Sequence, residues 1–225
     1  MTITSLTIKN ELRCHGLSVG VVVARGIQVF STPQALHEKL TSLVAKRKEE
    51  TFPSEALKEN VRKLLKSGGF KPTGRNKPAS EYLAQAARED RFPFLNNLVD
   101  INNYISLSSG LPVTLLDLDA TSEEILIRHG HEGEKYIFNP SGQEIDLSGS
   151  IVVCRANPAP GIPLGSPVKD SMEGKIKEHT RSIIGVIYSP TGFILPPILK
   201  EYLDEFVRLL QEFGKAENTE ADLLA

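Results

Sequence analysis

The stretch Lys77-Pro-Ala-Ser-Glu-Tyr-Leu83, continuing through Leu98-Val-Asp-Ile-Asn-Asn-Tyr-Ile-Ser-Leu107 to Gly110-Leu-Pro-Val-Thr-Leu-Leu-Asp117, decides how this chain is read. Its punctuation predicts a helix, a turn, a second helix and a strand. Polar residues interrupt the second helix: Asn102 and Asn103 stand among Leu98, Val99, Ile101, Tyr104, Ile105 and Leu107. Residues three or four apart share a helix face, so Asn96, Asp100 and Asn103 line one stripe and Asn102, Ser106 and Ser109 another. A buried carboxamide is costly unless paired, so these stripes are expected to cap a loop, clamp a strand or face a ligand. Structure is the first expectation for the asparagines.

Toward the N-terminus, Leu17 to Phe30 carries a continuous β-branched run, which predicts a buried strand bent at Gly26. Thr32-Pro33 reads as an N-cap and first-turn proline for a helix bearing Leu36, Leu40, Leu43 and Val44 up to Lys48. A further helix from about Pro53 to Ser67 buries Leu57, Val61, Leu64 and Leu65 and stops at Gly68-Gly69. Phe70-Lys-Pro-Thr-Gly-Arg-Asn-Lys-Pro78 is a loop, because its prolines and glycine break both regular periods. Ser80 is expected to cap the helix that follows.

Beyond Asp117 the pattern turns to short strands, Ile125–Arg128, Lys135–Phe138 and Ile151–Cys154, separated by turn residues. Asn157 to Pro167 is too rich in proline for strand or helix and is expected to be an exposed loop that orders over a site. Ser182 to Tyr188 is another buried strand. Pro196-Pro197 open a last helix striped by Leu199, Leu203, Phe206, Leu210 and Phe213 and stopped by Gly214. The expected fold class is α/β (α+β), with mixed or antiparallel sheets and packed helices in one domain over residues 1–214. Residues 215–225 are expected to form a flexible acidic tail.

With 225 residues, 40% of them hydrophobic, the chain can bury a substantial core. It has no apolar run of about 18 residues, and Met1-Thr-Ile-Thr-Ser-Leu6 lacks the regions of a secretory signal, so a cytoplasmic protein without membrane partners is expected. Cys14 and Cys154 make no spacing pattern, which points to reduced thiols. A formal net charge of −2 argues against a protein that coats DNA. Locally the balance differs. Arg62, Lys63, Lys66, Lys71, Arg75 and Lys77 follow one another with no acid between them, a run that suits either RNA phosphates or a solvated face.

Candidate chemistry is sparse. His129 and His131 alternate as metal ligands on a strand do, but no third ligand has a defined spacing, so no metal site and no cofactor are expected. Cys154, behind Ile151, Val152 and Val153, reads as a buried inert thiol, although Arg155 beside it would favour the thiolate. His179-Thr180 lies before a buried strand, where it suits contact with an anion, activation of water, or a cap. Arg75, Arg128 and Arg155 can each hold a carboxylate or phosphate in a two-pronged grip, or pair within the fold. No phosphate-binding glycine loop, G-x-S-x-G elbow or H-E-x-x-H motif occurs.

Val99-Asp-Ile-Asn-Asn-Tyr104, Gly110-Leu-Pro-Val-Thr-Leu-Leu-Asp117, Ile127-Arg128 and Gly133-Glu134, taken in order, closely resemble the B3/B4 region of the phenylalanyl-tRNA synthetase beta subunit. Arg75-Asn-Lys-Pro-Ala-Ser-Glu81 looks more like the free-standing proteins built from this region alone, and the similarity covers about residues 70 to 190. The resemblance implies an α/β sandwich and an editing-type domain that binds aminoacyl-tRNA, or its aminoacyl end, and hydrolyses mischarged tRNA in trans. The alternative is a non-catalytic module for a free amino acid or related metabolite. On the family pattern the editing histidine falls on Thr114, and the pocket-shaping small-residue loop falls on Ala156 to Pro167. Candidates for orienting water are therefore Thr114, Glu134, His179 and Thr180. Asn102, Asn103, Asp117, Arg128 and Arg155 would frame the substrate, and the six cations from Arg62 to Lys77 would meet RNA.

Overall fold

The structure, a computed structural model, describes residues 3–12 and 16–224; the expectation for Cys14 lies outside them. The elements run β1 (Thr7–Asn10), β2 (Leu17–Arg25), α1 (Gln34–Glu49), α2 (Glu55–Leu65), α3 (Ala79–Arg88), α4 (Asn97–Ser109), β3 (Val113–Asp117), α5 (Leu118–Thr121), β4 (Glu124–His129), β5 (Lys135–Ile137), β6 (Glu144–Asp146), β7 (Ile151–Arg155), β8 (Ile162–Gly165), β9 (Ser182–Pro190), α6 (Pro196–Phe213) and β10 (Asn218–Leu224). This is a mixed α/β architecture. One sheet has the order β10-β2-β9-β3 and is antiparallel throughout. The other, β1-β4-β7-β8, is mixed, with β1 parallel to β4, and β5 and β6 form a separate hairpin.

β9 organises the core because both of its faces are covered. Successive strand residues point to opposite sides. A Cβ on Gly185 would stand 2.7 Å from Phe206 on α6, so only glycine allows the helix this close. The opposite face presents Tyr188, fully buried, to Thr114 of β3. Fully burying large side chains such as Ile184, Ile187 and Phe206 contributes about 1.5–3 kcal/mol each before entropy is counted. One hydrophobic cluster runs through both sheets, α2, α4 and α6; a smaller one joins α3 to Leu107 of α4, with Leu43 and Val44 of α1 packed against it.

The central helix ends as its sequence requires, with Gly110 at φ 75° in the left-handed region. Asn96 caps it, its side chain accepting from the Val99 amide. Asn96, Asp100, Ser106 and Ser109 of its polar stripes make hydrogen bonds within the fold, and the clamp is a residue outside both stripes. Asn97 is fully buried; it donates to the Gln28 and Phe213 carbonyls and accepts from the Phe30 amide, tying α4 to the ends of β2 and α6. Asp100 accepts from Thr32 and from the Leu95 amide, and burial holds its carboxyl above the ordinary value.

Several local expectations change. Thr32 gives its hydroxyl to Asp100, so α1 starts at Gln34 without a side-chain cap. Ser80 lies inside α3, buried, and caps nothing. The proline-rich segment contains a strand, β8, because its apolar Ile162 and Leu164 find an edge of β7 to pair with. Residues expected to fray as an acidic tail form β10, paired with β2 from Val19 to Arg25; Ala221, Leu223 and Leu224 pack on the core. Alternating charge along a strand needs only one apolar face, which a net-charge reading overlooks. Among the described residues no helix is long and apolar enough to cross a membrane.

Candidate nucleic-acid interface and binding cleft

The residues that motif reasoning singled out occupy three separate places. Thr114 is fully buried in β3; its hydroxyl donates to the Ser166 carbonyl at 3.1 Å and lies 2.9 Å from the Tyr188 hydroxyl. A threonine has one proton to give, so the Tyr188 hydroxyl is the donor in their pair. Gly165 makes this contact possible, since a Cβ there would fall 2.6 Å from Thr114 Cγ2. Asp170 closes the network. Its carboxylate accepts from the Leu115 and Ser166 amides, and burial pushes its carboxyl up to about 7.

The second place is the Arg128–Glu134 pair. All five guanidinium N–H groups of Arg128 are used: two go to Glu134, at 2.8 and 2.7 Å, and three to the carbonyls of Pro160, His129 and Gly161. Glu134 also accepts from the His131 amide, and its carboxyl sits below the ordinary range because Arg128 and that amide outweigh the opposing effect of its burial. Arg128 thus holds the turn before β8, and Glu134 holds Arg128 and the turn after β4.

At the third place, Asp117 accepts from Thr180 at 2.6 Å and caps α5 through the Asp119 amide. Thr180 in turn accepts from the Lys177 amide, and His179 beside it is exposed. Arg155 donates to the Ala120 carbonyl and to Glu173. Asn103 is buried, and Asn102 reaches only the Val113 carbonyl, at 3.5 Å. Thr114, Glu134, His179 and Thr180 therefore do not converge on one cavity; the side chains of Asp117, Arg128 and Arg155 are engaged within the fold, while the Asn102 side-chain oxygen is buried without a hydrogen-bond partner among the described residues. His129 contacts Ser67, and the described residues contain no group of three or more metal-ligating side chains. Burial pushes the Cys154 thiol up to about 12, too high for a nucleophile.

Open space lies elsewhere, and two of the cavities share a wall. The larger, of about 700 Å³, is lined by Arg75, Asn76 and Lys169 on one side and by Phe138, Ile145, Glu144 and Asp146 of the β5–β6 hairpin on the other. The smaller, of about 320 Å³, is lined by Arg75, Lys77, Lys169, Tyr82, Gln85 and Val168. Arg75 and Lys169 belong to both. Among the described residues neither makes an ion pair, and Lys169 lies 3.9 Å from the Phe138 ring centre. Lys169 is held below the ordinary lysine value by burial and then by Arg75 and Lys175. Cations crowded together without a carboxylate partner favour an anionic ligand.

Of the predicted basic run, Lys63, Lys66, Lys71 and Arg75 are exposed and without ion pairs among the described residues. Lys77 reaches only Gln85, at 3.3 Å. Arg62 is the exception, gripped by Glu81 of α3 at 2.7 and 2.6 Å. Lys169, Phe138 and Tyr82 were not singled out by sequence reasoning. Phe138 and Lys169 lie far from Arg75 along the chain and only the fold brings them to it, whereas Tyr82 is seven residues on, in α3.

The profile of the B3/4 domain family matches residues 70–190, more than half of the chain, and the protein belongs to that family. It is 34% identical over 101 residues to the phenylalanine–tRNA ligase beta subunit of Staphylococcus aureus (strain MRSA252), covering 44% of this chain and 12% of that protein. With the same subunit of Aquifex aeolicus (strain VF5) it shares 36% identity over 90 residues, covering 40% of this chain and 11% of that protein. Among solved structures it is similar to an N-terminal fragment of the phenylalanyl-tRNA synthetase beta subunit from Pyrococcus horikoshii, at a TM-score of 0.48 and 10% identity over 99% of this chain and 51% of that one. The chain thus spans about a tenth of the length of these curated relatives.

Proposed function

We propose that this domain binds the aminoacyl end of a tRNA. RNA phosphates run along Lys63, Lys66, Lys71, Arg75 and Lys77, and the aminoacyl group enters the cavity between Arg75, Lys169 and the hairpin. The observation that carries this reading is the pair of unpartnered cations, Arg75 and Lys169, on the wall shared by two cavities inside the family-matched segment. Such a partner belongs in the cytoplasm. Hydrolysis in trans of a mischarged tRNA is the catalytic form of this reading. It would not run through Thr114, whose hydroxyl is enclosed by Tyr188 and Ser166.

That enclosure favours a second reading, a non-catalytic module for a free amino acid. The larger cavity offers cations for a carboxylate and, across it, Asp146 and Glu144 for an ammonium group. One set of measurements separates the two. For tRNA binding, the affinity should fall with salt, and Arg75→Ala or Lys169→Ala should each reduce the log–log salt slope by about one. No tRNA binding, together with thermal stabilisation by an amino acid, would sink the first reading and support the second. A deacylation assay over a panel of mischarged tRNAs then shows whether binding leads to hydrolysis.

A further inference from the structure

Tyr82 sits on α3 with half of its surface exposed, while its neighbours Leu83, Ala84 and Ala87 turn into the smaller core cluster. Half of a large aromatic is thus left in solvent at this position. It lines the 320 Å³ cavity with Val168, and Arg75, Lys77 and Lys169 line the same opening. Outside that lining, Arg91, itself paired with Glu89, holds its guanidinium 5.6 Å from the ring centre. An exposed ring among cations is what a single-stranded nucleic acid requires: a π-face for a base and positive charge for the phosphates on either side.

We infer that Tyr82 is a stacking platform for one unpaired base at the single-stranded end of an RNA, with Arg75 and Lys77 holding the adjoining phosphates. The inference rests on the tRNA-binding reading and deepens it. It orders the two cavities along one strand: the base lies in the smaller, the sugar and its ester cross the Arg75–Lys169 wall, and the esterified group lies in the larger. Duplex RNA, whose bases are already stacked, has nothing to offer Tyr82.

The test uses the full chain, a short single-stranded RNA ending in CCA, and a blunt RNA duplex. Because the chain contains no tryptophan, Tyr82→Trp places a lone indole at the platform. Its fluorescence should be quenched by the single-stranded probe and not by the duplex. Tyr82→Ala should weaken single-strand binding roughly 5- to 150-fold, in line with the loss of one base stack. It should leave the salt slope unchanged, since no phosphate contact is removed. Tyr82→Phe should bind within about twofold of the parent, because stacking does not need the hydroxyl. If Tyr82→Ala binds like the parent while Arg75→Ala weakens, stacking is overturned and tRNA binding stands. Equal weakening by Tyr82→Ala and Tyr82→Phe also overturns it, in favour of a hydroxyl contact. If the parent binds no RNA, both readings fall together.

Discussion

The loop of residues 166–170 has two sides, and they behave in opposite ways. Its inner side is closed: the Ser166 carbonyl accepts from Thr114, the Ser166 hydroxyl donates to the Lys169 carbonyl, and Asp170 accepts from the Leu115 and Ser166 amides. Tyr136 adds a short hydrogen bond to the Lys169 carbonyl. Its outer side presents the Lys169 ammonium, with no carboxylate partner among the described residues, to both cavities. The backbone that seals Thr114 is the backbone that aims Lys169. A position that motif comparison marks as reactive has become a fixed support, and the groups left free to meet a ligand stand one layer further out.

If this division is real, variants on the inner side move stability and leave binding alone, while those on the outer side do the reverse. The largest stability effect is expected at Arg128. Its guanidinium is buried and fully used, so Arg128→Ala strands the Glu134 carboxylate and three carbonyls. Breaking a buried pair from one side costs about 3–5 kcal/mol. Chemical denaturation of the variant should show a loss of that size. An unchanged midpoint with lost ligand binding would instead return Arg128 to the substrate-binding role its motif suggests.

A smaller loss is expected at Thr114. Thr114→Val keeps the shape and removes the hydroxyl, leaving the Ser166 carbonyl without its donor and the Tyr188 hydroxyl without its acceptor, a cost of about 1–3 kcal/mol. Any deacylase activity should persist in this variant. Its disappearance with stability intact would mean that the network opens to admit substrate, which would erase the contrast between the two sides.

The fold was more legible than the cleft for a physical reason. Strand burial and helix spacing are local, so the runs at Leu17, Ile151 and Ser182 and the stripe from Leu199 to Phe213 announced their elements directly. The strands that escaped in the two main sheets, β1, β8 and β10, are edge strands whose formation depends on the strand they pair with rather than on their own composition; β6 of the hairpin escaped with them. Asn97 escaped attention because its three backbone partners, Gln28, Phe30 and Phe213, come from the far ends of the chain. In the cleft, Arg75 was visible within a basic run, whereas Lys169 and Tyr82 carried no signal of their own. Conversely, Arg62 looked like its neighbours in sequence and proved to be paired with Glu81.

The most gradual effect, spread over pH, concerns Asp170, the residue nearest the boundary between the two sides. Its carboxyl is raised from 3.8 to about 7, chiefly by burial, while the two backbone amides and Lys175 pull the other way. In that window the folded protein keeps a proton that the unfolded chain has released, so the folded state binds more protons and stability must fall as pH rises. For a single group the slope cannot exceed about 1.4 kcal/mol per pH unit, and it should vanish above pH 7. Asp170→Asn removes the titration while keeping a carbonyl oxygen for one of the amides. The comparison that matters is therefore between slopes, because the substituted NH₂ shifts the absolute stability of the variant at every pH. Unfolding free energies of parent and variant measured from pH 4 to 8 should diverge in slope below 7 and run parallel above it. Parallel curves throughout would show that Asp170 stays ionised in the folded protein. The inner side of the loop would then be wetter than its hydrogen bonds suggest, and the distinction between sealed support and open cleft would have to be drawn closer to Thr114.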